Sequence, residues 1–128
     1  MAVTSIAPTG TIALIADVNS GIEPYFNHNY IRNITLGTGN TPKDSFQYSS
    51  KKEGTKTAHE IHWRDHIRMQ ATWQEFVDNA ISKTINMPED ATVDDIEDAY
   101  KLAWELGCKG LTVYRNRSRM FQILETDE

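Results

Sequence analysis

Between positions 59 and 115 the apolar residues change period twice in the same order, helical and then strand-like. This feature constrains the fold more than any other. A helix buries a stripe of period 3.6 and a strand one of period two, so alternating them packs helices in a layer on a sheet. In the first helical stretch Trp63, Ile67, Ala71, Phe76, Val77 and Ala80 fall near one stripe. They predict a helix from about His59 or Trp63 to Asn79. Residues 81–87 then alternate and stop at Pro88, as a short strand does. The second helix carries its own start signal. Thr92 is suited to the N-cap, and Asp94 and Asp95 fall in the first turn, where the helix dipole favours anions. Ile96, Ala99, Tyr100, Ala103 and Trp104 make its expected buried stripe, and Gly107 its stop. Residues 110–114 read as another strand, rich in β-branched and aromatic side chains. The fold class is therefore α/β, with strands alternating with helices, and 128 residues form a single domain or a fragment of one.

The N-terminal part holds a second candidate strand, Val3-Thr4-Ser5-Ile6-Ala7, running into Pro8-Thr9-Gly10-Thr11 and then the helix-compatible Ile12-Ala13-Leu14-Ile15. A strand, a tight turn and a helix start aim several backbone N–H groups one way. The first N–H groups of a helix lack internal partners, so such a turn can take an anion. Thr9 and Thr11 add hydroxyls. An ordinary capped turn has the same residues, and the local sequence leaves both readings open. Residues 37–58 are polar and Gly- and Ser-containing, and read as a surface loop.

Several functions are argued against. Lys plus Arg number 13 against 18 for Asp plus Glu, a net charge of −5 that does not suit a nucleic-acid binder, and Lys51-Lys52 is too short to change this. Trp63, Trp73 and Trp104 lie on amphipathic helices and read as packing rather than as a base-stacking platform. One cysteine rules out an internal disulfide, a multi-cysteine zinc site or a dithiol redox pair within these residues. The longest apolar run, Ile12 to Ala16, is far short of the roughly 20 residues that span a bilayer. The N-terminus has no basic stretch followed by an apolar one, so a cytoplasmic location is expected and no membrane contact. His59, His62 and His66 share a helix side with Glu60 and Asp65 near them. A metal is conceivable there, but the group reads as solvated or helix-packing and no metal is assigned. Cys108 is read as structural, although Lys109 beside it could lower its pKa. Tyr114 and Arg115 end a strand, where side chains often reach an active-site mouth. Tyr114 is assigned to packing, and no catalytic residue is assigned.

Several separated strings resemble the C-terminal catalytic-barrel region of adenosylcobalamin-dependent, class II ribonucleotide reductases. They are Ser5-Ile6-Ala7-Pro8-Thr9-Gly10-Thr11-Ile12 and Ser20-Gly21-Ile22-Glu23-Pro24, then Ile61-His62-Trp63 with His66-Ile67 and Met69-Gln70-Ala71. Residues 77–88, from Val77 to Pro88, follow. The last are Ala99-Tyr100, Ala103-Trp104 and residues 106–115, including Gly107-Cys108-Lys109-Gly110. Their order and spacing cover most of the chain except residues 31–58.

The resemblance implies a ten-stranded α/β barrel, of which this chain is the C-terminal portion, and reduction of ribonucleotides to deoxyribonucleotides by radical chemistry. It implies that Thr9, Gly10, Thr11 and Ile12 hold the substrate's phosphates, Ile12 through its backbone alone. Turn chemistry and resemblance thus point to the same four residues. Ala13 stands where the family usually has Ser, so one hydroxyl ligand is missing and affinity is expected to be lower. The family's radical cysteine in an Asn-x-Cys-x-Glu arrangement, and its two reducing cysteines, have no counterpart here. Cys108 lies outside that loop. The segment 37–58 is shorter than the corresponding region of full-length relatives. The expectation is a part of a split reductase that completes the barrel of a larger chain carrying the radical cysteine, with adenosylcobalamin and ribonucleotide bound by the assembly. Alone, it is expected to form homo-oligomers. The alternative is a stand-alone, non-catalytic phosphate-binding or interaction protein derived from that barrel.

Overall fold

Ile81, Lys83, Ile85 and Met87 are buried while the residues between them are partly exposed, the period-two pattern of a strand with one face on a core. The computed structural model describes residues 1–35, 43–49, 54–118 and 124–126. Its elements are α1 (Gly10–Ile15), β1 (Asn29–Thr35), β2 (Lys43–Ser49), α2 (Trp63–Gln74), β3 (Thr84–Met87), α3 (Val93–Glu105), β4 (Thr112–Arg115) and β5 (Leu124–Thr126). β3 and β4 run parallel, with Thr84 opposite Thr112 and Met87 opposite Arg115. The connection between them is α3, as a parallel pair requires. β1 lies between β2 and β5 in a separate antiparallel sheet, with Tyr30 opposite both Tyr48 and Thr126.

The core lies where α2 and α3 meet β3. Trp63, Ile67, Ile85, Met87, Ala99 and Ala103 are buried together, and Ile96, Leu102, Cys108, Leu111 and Val113 pack around them. Ala99 and Ala103 let α3 approach closely, since neither has a side chain beyond Cβ. Thr92 starts α3 as expected. Its hydroxyl accepts from Asp95 N–H at 3.2 Å, and the Asp95 carboxylate accepts from Thr92 N–H at 2.9 Å, a reciprocal capping box. Gly107, at φ +76°, turns the chain out of the helix.

Four expectations need correction. The first helix ends at Gln74 rather than Asn79. The Gln74 amide donates to the carbonyls of Val77 and Asn79, at 2.8 Å each, and holds the chain in a turn there. Phe76 is therefore exposed and lies off the helical stripe. On α3 the stripe is narrower than expected. Its inner line is Ile96, Ala99 and Ala103, and Tyr100 and Trp104, one residue further round, are 53% and 81% exposed. The Val3–Ala7 segment forms one parallel bridge, Ile6 to Ile81, rather than a ladder. Asp78 fixes its start by accepting from Val3 N–H and Thr4 N–H at 2.9 and 3.1 Å. Finally, the stretch 37–58 contains a strand, β2, paired along its length with β1. Lys51-Lys52 lies outside the described residues. No described helix is long and apolar enough to cross a membrane.

Candidate functional site

The Thr9–Ile12 turn stands at the end of the Val3–Ala7 segment. Thr9 is the N-cap of α1 and adopts a left-handed conformation, φ 50° and ψ 26°, which costs a non-glycine residue roughly 1–2 kcal/mol. The first bond of α1 runs from Ala13 N–H to the Thr9 carbonyl at 3.0 Å, so the N–H groups of Gly10, Thr11 and Ile12 precede the helical ladder. The Thr9 side chain does not cap this helix. Its Oγ1 instead accepts from Gly21 N–H at 3.1 Å and ties the turn to the loop at 20–24.

That loop needs its glycine. Gly21 has φ +52°, and a Cβ there would lie 3.2 Å from the Ala7 carbonyl oxygen and 3.4 Å from the Ile6 side chain. A turn closed by Glu23 N–H on the Ser20 carbonyl at 2.9 Å then aims the Glu23 side chain at β3. One carboxylate oxygen accepts from Thr84 N–H, and the other from Lys83 Nζ at 2.9 Å. The Lys83 side chain is 1% exposed. Its ammonium also donates to His66 Nδ1 at 3.0 Å and to the Thr84 carbonyl at 3.2 Å. With Nδ1 accepting, His66 Nε2 carries the proton and donates to the Ala58 carbonyl at 3.0 Å. Ala58 N–H donates in turn to the Tyr25 carbonyl at 2.7 Å, two residues beyond Glu23.

Burial governs the protonation of this network. Desolvation, reinforced by the Lys83 charge, lowers the His66 pKa to about 4 and leaves the ring neutral. Desolvation also lowers the Lys83 pKa, and the Glu23 carboxylate opposes that shift.

The three histidines do not converge. His66 is in the network just described. His62 caps α2, its Nδ1 accepting from Arg64 N–H at 3.2 Å, and its ring stacks on Trp63. His59 meets Phe26 edge-on and its pKa is lowered by burial. Among the described residues no group of three metal-ligating side chains comes together. Cys108 is half-buried beside the core, and desolvation raises its thiol pKa. Lys109 does not counter this, because its ammonium donates to the Asp78 carbonyl. A cleft of about 560 Å³ opens beyond β3 and β4, between His62, Trp63, Met87, Glu89, Asp95 and Asn116. The Thr9–Ile12 turn is not part of its lining.

Sequence reasoning singled out the turn and missed Glu23, Lys83 and His66 as a unit. A signal was present. Lys83 occupies the apolar face of an alternating strand, between Ile81 and Ile85, where a lysine must find buried partners.

Comparison with known proteins places these residues in one family region. The ribonucleotide reductase barrel domain matches residues 1–55 and 48–114. The vitamin B12-dependent ribonucleoside-diphosphate reductase of Thermoplasma acidophilum is 39% identical over 151 aligned positions, covering 94% of this chain and 20% of that protein. The protein of the same name from Mycobacterium tuberculosis is 37% identical, covering 97% of this chain and 22% of its own length. The chain thus spans about a fifth of these relatives. Because 151 aligned positions exceed 128, the Thermoplasma protein carries residues that this chain lacks. A solved B-12 dependent (class II) ribonucleotide reductase superposes with a TM-score of 0.65 at 19% identity, over 90% of this chain and 19% of that one. That likeness shows the fold, an α/β fragment of the reductase type.

Proposed function

The chain belongs to the ribonucleotide reductase barrel-domain family, and from that premise we propose that it supplies the C-terminal part of a ten-stranded catalytic barrel in an adenosylcobalamin-dependent reductase. In that assembly Thr9, Gly10, Thr11 and Ile12 bind the phosphates of the ribonucleotide to be reduced. The observation that carries the reading is the family match running through this turn, together with its geometry: three successive N–H groups ahead of the first bond of α1.

The rest of the chemistry lies outside these 128 residues. Cys108 is the one cysteine in these 128 residues, and its thiol is half-buried, with a raised pKa. In the proposed assembly a larger reductase chain carries the radical cysteine and the reducing pair. The same holds for the cofactor. The cleft beyond β3 and β4 has the volume of a site for a drug-sized ligand. It does not enclose a cobalamin, so no step is assigned to these residues through that group. Adenosylcobalamin is bound by the assembly, where it supplies the initiating radical. The setting of this reaction is cytoplasmic deoxyribonucleotide synthesis.

Gly10→Val tests the phosphate turn, since added bulk blocks close backbone approach. The expected outcome is loss of nucleotide binding by the assembled reductase, measured by equilibrium dialysis. Unchanged binding would overturn the assignment. Failure to associate with a larger reductase chain, with nucleotide binding by the isolated chain as tight as any it shows in a mixture, would favour a stand-alone phosphate-binding protein instead.

A further inference from the structure

We infer that Glu23, Lys83 and His66 form a buried strut that positions the Thr9–Ile12 turn. The inference rests on the reading of that turn as a phosphate site and adds the residues that hold it in place.

The network is costly where it stands. Lys83 immediately precedes β3, on the face of the extended segment 81–87 whose other members, Ile81, Ile85 and Met87, are buried. A buried ion pair is often no more stabilising than apolar residues of the same volume, so packing alone does not account for a lysine here. Position does. All three ammonium donors are used: on Glu23 at 2.9 Å, on His66 at 3.0 Å and on the Thr84 carbonyl at 3.2 Å. The ammonium therefore fixes the relation of α2, β3 and the loop at 20–24.

Glu23 also replaces a missing strand. Ser82 N–H donates to the Ile6 carbonyl at 2.9 Å. Two residues on, where the Val3–Ala7 segment has left the sheet, Thr84 N–H meets the Glu23 carboxylate instead. The side chain thus continues the backbone pairing of β3 past the point where the chain turns into Pro8 and Thr9. Gly21 passes the placement on. It lies against the Ala7 carbonyl and donates its N–H to Thr9 Oγ1. Hydrogen bonds run from His66 through Lys83 to Glu23; the short turn at 20–24 joins Glu23 to Gly21 along the chain, and Gly21 is bonded to Thr9, whose left-handed backbone starts the turn. Small displacements of a substrate-holding group are expensive in catalysis, which gives a rigid support its function.

The test uses the full chain, isotopically labelled, with inorganic phosphate as the probe and the Gly10 and Thr11 amide resonances as the reporter. The double variant E23A/K83M removes the strut and leaves no unpaired buried ammonium. It should remain folded, with a lower melting temperature because Thr84 N–H loses its acceptor, and should shift the Gly21 resonance and lose phosphate affinity by about tenfold or more. Parent-like affinity and an unmoved Gly21 in that variant would overturn the proposal. Should the double variant fail to fold, Gly21→Ala decides. It leaves the buried groups intact and pushes the loop off Ala7, so the same loss is expected, and unchanged affinity would overturn the proposal. If phosphate leaves the parent's Gly10 and Thr11 untouched, the phosphate reading fails, and the Gly21 shift alone then decides whether the strut holds the turn.

Discussion

His66 couples the strut to pH. Its ring is neutral in the folded chain, with a pKa near 4, against 6.5 when unfolded. Between those values the unfolded chain takes up a proton that the folded chain refuses. Stability from this residue is therefore complete above about pH 6.5 and is lost as pH falls towards 4. The shift amounts to about 3 kcal/mol. Melting temperature should fall on acidification through this window, before the exposed carboxylates Glu60, Asp78 and Asp95, whose pKa values are lowered by hydrogen bonds, begin to titrate. In His66→Gln that early slope should shrink to the part that His59, whose pKa is also lowered by burial, supplies; a slope as steep as the parent's would show that His66 does not carry it. At this scale the sequence was legible only in part. Thr9, Gly10 and Thr11 stand out because a turn of that composition has local chemistry. Glu23, Lys83 and His66 lie 60 and 17 residues apart along the chain, and only the tertiary fold brings them to hydrogen-bond distance.

α3 is the element whose sequence and structure agree most closely, because its signals are local. The capping box at Thr92 and Asp95 and the stop at Gly107 are read within one helical turn. Thr92→Ala should therefore destabilise the chain by about 1 kcal/mol, measured by urea unfolding. No change would mean that packing of Ala99 and Ala103 sets the start of α3 on its own. α2 was read too long because the stripe through Phe76 and Ala80 continues the helical period after Gln74 has turned the chain. β2 was missed for a related reason. Its polar residues carry a weak apolar signal, and its identity as a strand comes from backbone pairing with β1. Tyr100 and Trp104 were assigned to the core by periodicity alone, which cannot tell an inner apolar line from an outer one.

At the scale of the whole molecule, the described residues leave several large apolar side chains outside the core. Trp104 is 81% exposed and Phe76 75%, and Val93, Met69, Trp73 and Tyr100 are each about half exposed or more. β4 pairs with β3, and its other edge has no strand beside it among the described residues. Unpaired edges and exposed apolar side chains invite association. The isolated chain should therefore sediment at micromolar concentration as a homo-oligomer, with an interface on the order of 1,000 Å² or more. A single monomeric species with a concentration-independent melt would show that the chain satisfies its own surface. The central claim is that these residues complete a reductase barrel begun by a larger chain. Its most direct measurement is ribonucleotide reduction with adenosylcobalamin and a dithiol, by this chain, by a larger reductase chain that bears the radical cysteine and stops short of this region, and by the two together. Neither chain should turn over alone, and the mixture should. Turnover by this chain alone, or a mixture that binds yet stays silent while a full-length reductase works in the same assay, would contradict it.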